Sequence, residues 1–342
     1  MAIVTMIVYT VILLSVLIFA HELGHFMACR ILGVKVNEFA LGMGPALFKR
    51  QPGETTYSLR AFPIGGFCAM EGEDEDEESE DARSFTGKPG WAKAIILVAG
   101  SLMNVLLAVL ILAGLLLYNG TATTTIKEVV PGSPAYAANL MPGDRITAID
   151  GAPIGTWNEL LRAIATSDGE TITIQAQRGG EPLMLESAVM ADETGRKVIG
   201  IRPEVVHNPF TALVGGAQES VRMVGMMVDL IGQLFTGAIP TTELTGPVGI
   251  AYIVGDTAQE GMRYVVFLAA LISLNLAIVN MLPFPALDGG RLLFLVIRAV
   301  TGKAITDNIE SKVHLIGLML LFALMIYVTW NDIGRFILGR FG

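Results

Sequence analysis

Three residues near the start of the chain have the types and spacing for metal-assisted hydrolysis. They are His21, Glu22 and His25, in the run Phe19-Ala20-His21-Glu22-Leu23-Gly24-His25-Phe26. On an α-helix, positions four apart lie on one face, one turn from each other, so the two imidazoles can share one zinc ion. Glu22 is placed beside them to take a proton from the attacking water. The same spacing also arises by accident at the wet end of a helix, so its setting matters. No charged residue lies between Ile3 and Ala20. As a helix that run is about 27 Å long, close to the ~30 Å hydrocarbon core of a bilayer. Ionisable groups at the end of such a helix are costly, and a functional site is the default reading of them.

A catalytic zinc takes three protein ligands and keeps one position open. The third should be a carboxylate or histidine at the same membrane depth. Asp288 qualifies. It follows an apolar span, Val265–Leu282, across Pro283-Phe284-Pro285-Ala286-Leu287, where two prolines end a regular helix and open the backbone. The acidic run from Glu71 to Asp81 offers many carboxylates but reads as a solvated loop, and no metal is assigned to it.

The elements that must position these residues are mostly membrane spans. Of 342 residues, 52% are hydrophobic and 16% charged, with a mean hydropathy of +0.58. A soluble domain carries about 25% charged residues, so this is a polytopic membrane protein with a soluble part. The formal charge of −9 comes from the acidic run, which alone holds nine carboxylates. The remainder is near neutral and offers no basic surface for nucleic acid. Four spans are expected, at about Ile3–Ala28, Ile95–Tyr118, Val265–Leu282 and Leu315–Trp330. The first lacks a basic flank before it and reads as a retained span rather than a cleaved signal. Arg30, Lys35, Lys49 and Arg50 follow the first span, Lys88 and Lys93 precede the second, and Arg291, Arg298 and Lys303 follow the third. The positive-inside bias puts these ends in the cytoplasm, although Arg335 and Arg340 weakly oppose it. The expected product is a multi-pass plasma-membrane protein with both termini outside and the metal motif toward the cytoplasm. Cys29 and Cys68, the only cysteines, fall on that side and are expected as free thiols.

Between spans the pattern changes. Val34–Leu41 and Thr56–Phe62 read as strands, and Phe62–Phe67 as a further short strand or turn. They form either a hairpin dipping into the membrane or an ordinary cytoplasmic loop. A sheltered hairpin beside the site could offer an edge to an extended peptide. Gly100 and Asn104 lie one turn apart on the second span, suited to helix packing or to facing the metal. Residues 120–204 form a soluble insert with strands at Thr124–Val129, Arg145–Ile149, Thr171–Gln177, Leu183–Val189 and Lys197–Ile201. One helix is expected at Asn158–Thr166. The run Val130-Pro131-Gly132-Ser133-Pro134-Ala135, followed by Pro142-Gly143-Asp144-Arg145-Ile146 and Ile149-Asp150-Gly151, resembles a PDZ domain. Pro209–Thr236 reads as an amphipathic helix on the outer membrane surface, and Gly246–Ile250 as a breaker-rich turn. His314, opening the last span, reads as an interfacial residue. The expected fold is a polytopic α-helical membrane protein of four transmembrane helices, with a membrane-associated β-hairpin region and an inserted α+β PDZ domain. The expected domains are 1–119, 120–204, 205–261 and 262–342.

His21-Glu22-Leu23-Gly24-His25, the segment from Asn280 through Pro283-Phe284-Pro285-Ala286-Leu287-Asp288-Gly289, and a PDZ-like insert between them together resemble the site-2 protease family. These are intramembrane zinc metalloproteases, and the resemblance is to the bacterial type that performs regulated intramembrane proteolysis. It covers nearly the whole chain. It implies one zinc per chain on His21, His25 and Asp288, with Glu22 as general base. It also implies that Asn275 and Asn280 bind substrate or stabilise the oxyanion, and that Phe62–Met70, with Gly65 and Gly66, is a reentrant substrate-binding β segment. Asn104 joins that substrate-binding set. Implied substrates are single-span membrane proteins within the lipid bilayer, such as an anti-sigma factor already trimmed outside, and remnant signal peptides. Peptide termini would be read by the PDZ domain. Two departures stand out: this type carries two PDZ domains where there is room here for one, and Gly100 is followed by Ser101 rather than proline. The rival readings are a PDZ membrane scaffold without catalysis and a metal transporter, for which the middle spans carry too few polar residues.

Overall fold

A computed structural model describes residues 2–73, 81–167, 169–240, 244–302 and 307–337. It divides into two compact units, residues 1–112 with 216–342, and residues 113–215. Among the described residues, four helices are long and apolar enough to cross a membrane: Ile3–Leu32, Gly90–Asn119, Met262–Asn280 and Ile309–Arg335. With no water in lipid to satisfy backbone groups, spanning segments must be helical, which is why these apolar runs fold so.

The first unit begins with α1 (Ala2–Leu32) and a hairpin of β1 (Val36–Arg50) and β2 (Thr56–Met70), followed by α2 (Gly90–Asn119). The expected separate pieces at Thr56–Phe62 and Phe62–Phe67 are thus one continuous strand. Each strand bends at glycine, at Gly42 and Gly44 (φ +89° and +81°) and at Gly65 (φ +96°). The arm Val36–Leu41 therefore pairs on both sides. Val36 faces Met70 and Leu41 faces Gly66 on one side, while Glu38 faces Thr56 and Leu41 faces Leu59 on the other. Residues 46–50 close against 57–60. The bend lies along the apolar helix α1: Ser15 Oγ donates to the Pro63 carbonyl at 2.8 Å, and Gly66 sits beside Ile18 and Glu22. Met43, Leu47, Phe48 and Phe62 are exposed on the hairpin, as suits a hairpin associated with the membrane. Its base is packed on α1 and α2 through Cys29, Val36, Phe39, Cys68, Met70 and Ile96. Both cysteines are free. Of the acidic run, residues 74–80 lie outside the described residues. Its ends are tied down, Glu71 to Lys35 at 3.0 Å and Glu73 to Arg291.

The second unit holds β3 (Thr121–Val129), α3 (Pro134–Ala137), β4 (Arg145–Ile149), β5 (Ala152–Pro153), α4 (Trp157–Thr166), β6 (Thr171–Arg178), β7 (Glu181–Ala188), β8 (Met190–Ala191), β9 (Lys197–Val198) and β10 (Ile201–Val206). The sheet runs β10-β3-β4-β6-β7, with β5 paired to β4. Alternate residues of these strands (Ile126, Ile146, Ile172, Ile174) and Leu160 and Ile164 of α4 form one buried core, as period-2 and period-3.6 patterns demand. Thr156 and Glu159 form a capping box at the start of α4. Asp144 is fully buried and accepts from Arg178 Nε at 2.7 Å, Arg178 Nη2 at 2.9 Å and the Met141 amide at 2.8 Å. Burial opposes its ionisation, but the guanidinium and the amide outweigh burial and hold the carboxyl below its usual range. This small α+β unit is the insert expected to be a PDZ domain.

The first unit resumes in α5 (Pro209–Phe235) and continues with α6 (Pro247–Glu260), α7 (Met262–Asn280), α8 (Asp288–Thr301) and α9 (Asp307–Ile337). The stretch Gly246–Ile250, expected as a turn, opens α6 instead. Proline is tolerated there because the first helical N–H needs no intrahelical partner. Asp332 of α9 completes this end by accepting from the Gly246 and Gly249 amides at 3.0 and 2.8 Å. Val254 of α6 packs with Leu13 and Leu17 of α1 and with Val265 and Ile272 of α7. Met223 of α5 packs with Ala108 and Leu112 of α2 and with Ala270 and Leu274 of α7.

Candidate metal centre

The helix α1 places His21 and His25 one turn apart, and their Nε2 atoms lie 3.2 Å from each other. Asp288 is the first residue of α8, reached through the turn that Pro283 and Pro285 force after α7. Its Oδ2 lies 3.2 Å from His21 Nε2 and 3.3 Å from His25 Nε2. Among the described residues this is the group of His, Cys, Asp and Glu side chains close enough to hold a metal. A tetrahedral zinc with bonds of about 2.0–2.1 Å keeps its ligand atoms about 3.3 Å apart, which is the separation found. The donor set fits chemically as well. His25 Nδ1 lies 2.8 Å from the Ile96 carbonyl; donating there, it leaves the Nε2 lone pair free toward the centre. Asp288 Oδ2 is buried without a hydrogen-bond donor of its own, a cost that a cation would remove.

Glycines make this convergence possible. A Cβ on Gly24 would lie 2.2 Å from the Ala99 carbonyl oxygen, and one on Gly100 would lie 2.3 Å from His25 Nε2. Thus α1 and α2 touch backbone to backbone at the motif. On α8, a Cβ on Gly289 or Gly290 would come within 2.3 Å of the Leu282 or Phe284 carbonyl oxygen, so the turn folds tightly against the helix that carries Asp288.

A cavity of about 830 Å³ adjoins the three ligating groups and also exposes Glu22, Phe67, Cys68, Ala69, Met70, Glu73, Arg291 and His314 in its wall. Sequence reasoning missed several of these. In the sequence Glu73 reads as part of the solvated acidic run and His314 as an interfacial residue, yet both face the cavity. The signal for Gly24 was present, since glycine inside a helix costs about 1 kcal/mol and marks a close approach. Other expected site residues are not in the cavity wall. Gly66 lies against Glu22, but Gly65 contacts Met43. Asn104 is fully buried, one turn beyond Gly100; its backbone carbonyl accepts from Ser273 Oγ of α7 at 2.8 Å, and its buried side-chain amide has no hydrogen-bond partner among the described residues. Asn275 is exposed and Asn280 half-buried. Five residues apart, they point about 140° from each other around α7.

The model of peptidase family M50 matches residues 9–324. The zinc metalloprotease RasP of Geobacillus kaustophilus is 32% identical, covering 96% of this chain and 97% of its own. RasP of Shouchella clausii is 31% identical over 94% and 97%. A Clostridium perfringens protein provisionally named a zinc metalloprotease is 37% identical over 96% and 98%. Among solved structures, a PDZ domain of an SdrC-like protein from Listeria innocua is 28% identical, covering 26% of this chain and 99% of its own, with a TM-score of 0.23. With His21, His25 and Asp288 converged at the end of an apolar span and a family match running from the first span into the last, the chain belongs to peptidase family M50, the site-2 type of zinc metalloprotease.

Proposed function

We propose that His21, His25 and Asp288 hold the catalytic zinc, that Glu22 is the general base, and that the enzyme cuts membrane-spanning segments of single-span proteins. The observation that carries this reading is the meeting of three donor atoms at 3.2–3.3 Å with Glu22 in the adjoining cavity wall. Bound there, zinc would polarise the scissile carbonyl and favour ionisation of water. Glu22 then takes the proton of the attacking water and passes it to the leaving amide nitrogen.

A helical substrate must unwind first, because its carbonyls are already hydrogen-bonded and shielded. The arm of residues 66–70 pairs with 36–41 on one side, and Phe67–Met70 border the cavity. Such an edge can receive an unwound segment as an added strand, with main-chain hydrogen bonds replacing those lost. Residues 120–204 select substrates by their trimmed ends, residues 205–261 form a membrane-surface segment, and residues 1–119 and 262–342 supply the two halves of the site. The metal centre lies toward the cytoplasm and the PDZ domain outside. Single-cysteine labelling in intact cells tests this: an impermeant reagent should label positions in 120–204, and preferential labelling of position 76 refutes it.

The chemistry is tested by zinc content and cleavage together. Glu22→Gln should keep one zinc per chain and lose cleavage of a membrane-embedded substrate, whereas Asp288→Ala should lose zinc. Full zinc occupancy in Asp288→Ala removes that residue from the ligand set. Unchanged cellular function in Glu22→Gln favours a scaffold built on the PDZ domain.

A further inference from the structure

Asp288 enters the site from a strained turn. Ala286, two residues earlier, has φ +76°, a region unfavourable for any residue with a Cβ. Its N–H donates to Nδ1 of His314, on α9, at 2.8 Å. To accept, Nδ1 must be unprotonated, so the neutral ring carries its proton on Nε2. Nε2 lies 3.8 Å from Glu310 Oε1, and Phe294 of α8 packs on the ring at 5.5 Å between centroids. Three residues further along α9, Gly317 meets the same turn: a Cβ there would lie 2.5 Å from Pro285 Cβ and 2.6 Å from its carbonyl oxygen. Residues 314 and 317 share one helix face. That face of α9 therefore holds both Pro285 and Ala286, although α9 contributes no side chain to the metal-binding trio.

We infer that α9 clamps the third metal ligand, with His314 as the positioning residue that fixes Asp288 through a hydrogen bond to the Ala286 backbone. This rests on the reading of Asp288 as a ligand. Within the turn between α7 and α8 the Phe284 and Leu287 amides donate to the Leu282 and Phe284 carbonyls and the two prolines cannot donate, so the Ala286 amide, with its positive φ, is the one that α9 holds through His314. Without the His314 acceptor, Ala286 relaxes toward negative φ, and the change in backbone direction is passed to Asp288 two residues on. Partners that orient ligands typically change metal affinity or activity by roughly 10- to 100-fold.

The test uses the full-length protein in detergent, loaded with zinc and competed against a chelator. His314→Ala should bind zinc roughly 10- to 100-fold more weakly. His314→Asn, whose Oδ1 can take the acceptor position of Nδ1, should stay within a few-fold of the wild type. Adding Ala286→Gly to His314→Ala should recover part of the loss, since glycine adopts positive φ freely. Gly317→Ala pushes on Pro285 with His314 intact and should weaken zinc as well, which keeps the test informative if His314→Ala does not fold. Wild-type zinc retention in His314→Ala or in Gly317→Ala overturns the clamp, and His314→Asn as weak as His314→Ala overturns the acceptor role. Asp288→Ala, run alongside, reports on the ligand assignment itself: zinc retention there refutes that assignment, whereas zinc loss there with full retention in His314→Ala refutes the clamp alone.

Discussion

Gly100→Ala adds one methyl group at a point of the metal centre that has no room for it. The new Cβ would lie 2.3 Å from His25 Nε2, 2.7 Å from His21 Cε1 and 2.8 Å from His25 Cε1, where ordinary contact begins at 3.4 Å. Something must therefore move by about 1 Å. The helices cannot readily part to provide it, because Gly24 already seats α1 on the Ala99 carbonyl and His25 is bonded to Ile96 of the same helix. The imidazoles give way instead. Overpacking of this kind costs about 1–3 kcal/mol, which a chain of this size can survive. Zinc–nitrogen bonds of about 2.0–2.1 Å cannot survive it unchanged, and a displacement of about 1 Å near reacting groups costs on the order of 100-fold in rate. Gly100→Ala should thus elute as a folded protein, lose zinc to a chelator more readily, and cut a membrane-embedded substrate about 100-fold more slowly. Gly114→Ala, on the same helix with nothing within 4 Å of its Cβ, should behave as wild type. Normal zinc retention and cleavage by Gly100→Ala would refute the view that this glycine exists to admit the histidines.

In the PDZ domain, Arg178→Ala removes the guanidinium that pairs with the buried Asp144 carboxylate and should destabilise the domain; hydrogen exchange across residues 120–204 of the full-length protein should accelerate, and unchanged protection would count against it. The folded-state pKa of Asp144 lies below its usual range, so its contribution is present above the ordinary Asp pKa and is lost as pH falls through the lowered value. Acid unfolding of the wild-type domain should therefore be shifted upward in pH when Arg178 is removed. Deleting residues 122–203 should leave zinc binding and cleavage of trimmed substrates intact while admitting untrimmed ones. A zinc-loaded deletion variant that cuts nothing would make the domain part of the catalytic unit.

Much of this protein is legible one segment at a time. The four apolar spans, the alternation of isoleucines in the PDZ strands and the capping residues of α4 are local patterns, set by the period of the helix or strand and by the demands of lipid or water. The spacing of His21 and His25 is local too, and so is the break that two prolines impose before Asp288. What the chain could not disclose residue by residue are the contacts between segments far apart in sequence. Gly246–Ile250 reads as a turn because proline and glycine break helices, yet it opens α6 because Asp332, more than eighty residues away, accepts from its amides. Phe62–Phe67 reads as a separate piece because Pro63 and the glycine pair interrupt it, yet it continues β2, since glycine lets the strand bend rather than end. Asn104, Asn275 and Asn280 carry the right chemistry for substrate binding, but helix rotation and packing, which no local pattern encodes, leave them outside the cavity wall. His314 looks like an ordinary interfacial histidine until α9 is laid against the turn before Asp288. Ligand types and spacings follow from covalent geometry within one helix. The 3 Å meeting of His21, His25 and Asp288 depends on three backbones approaching closely enough, and that is decided by where glycines let α1, α2 and the turn before α8 come together.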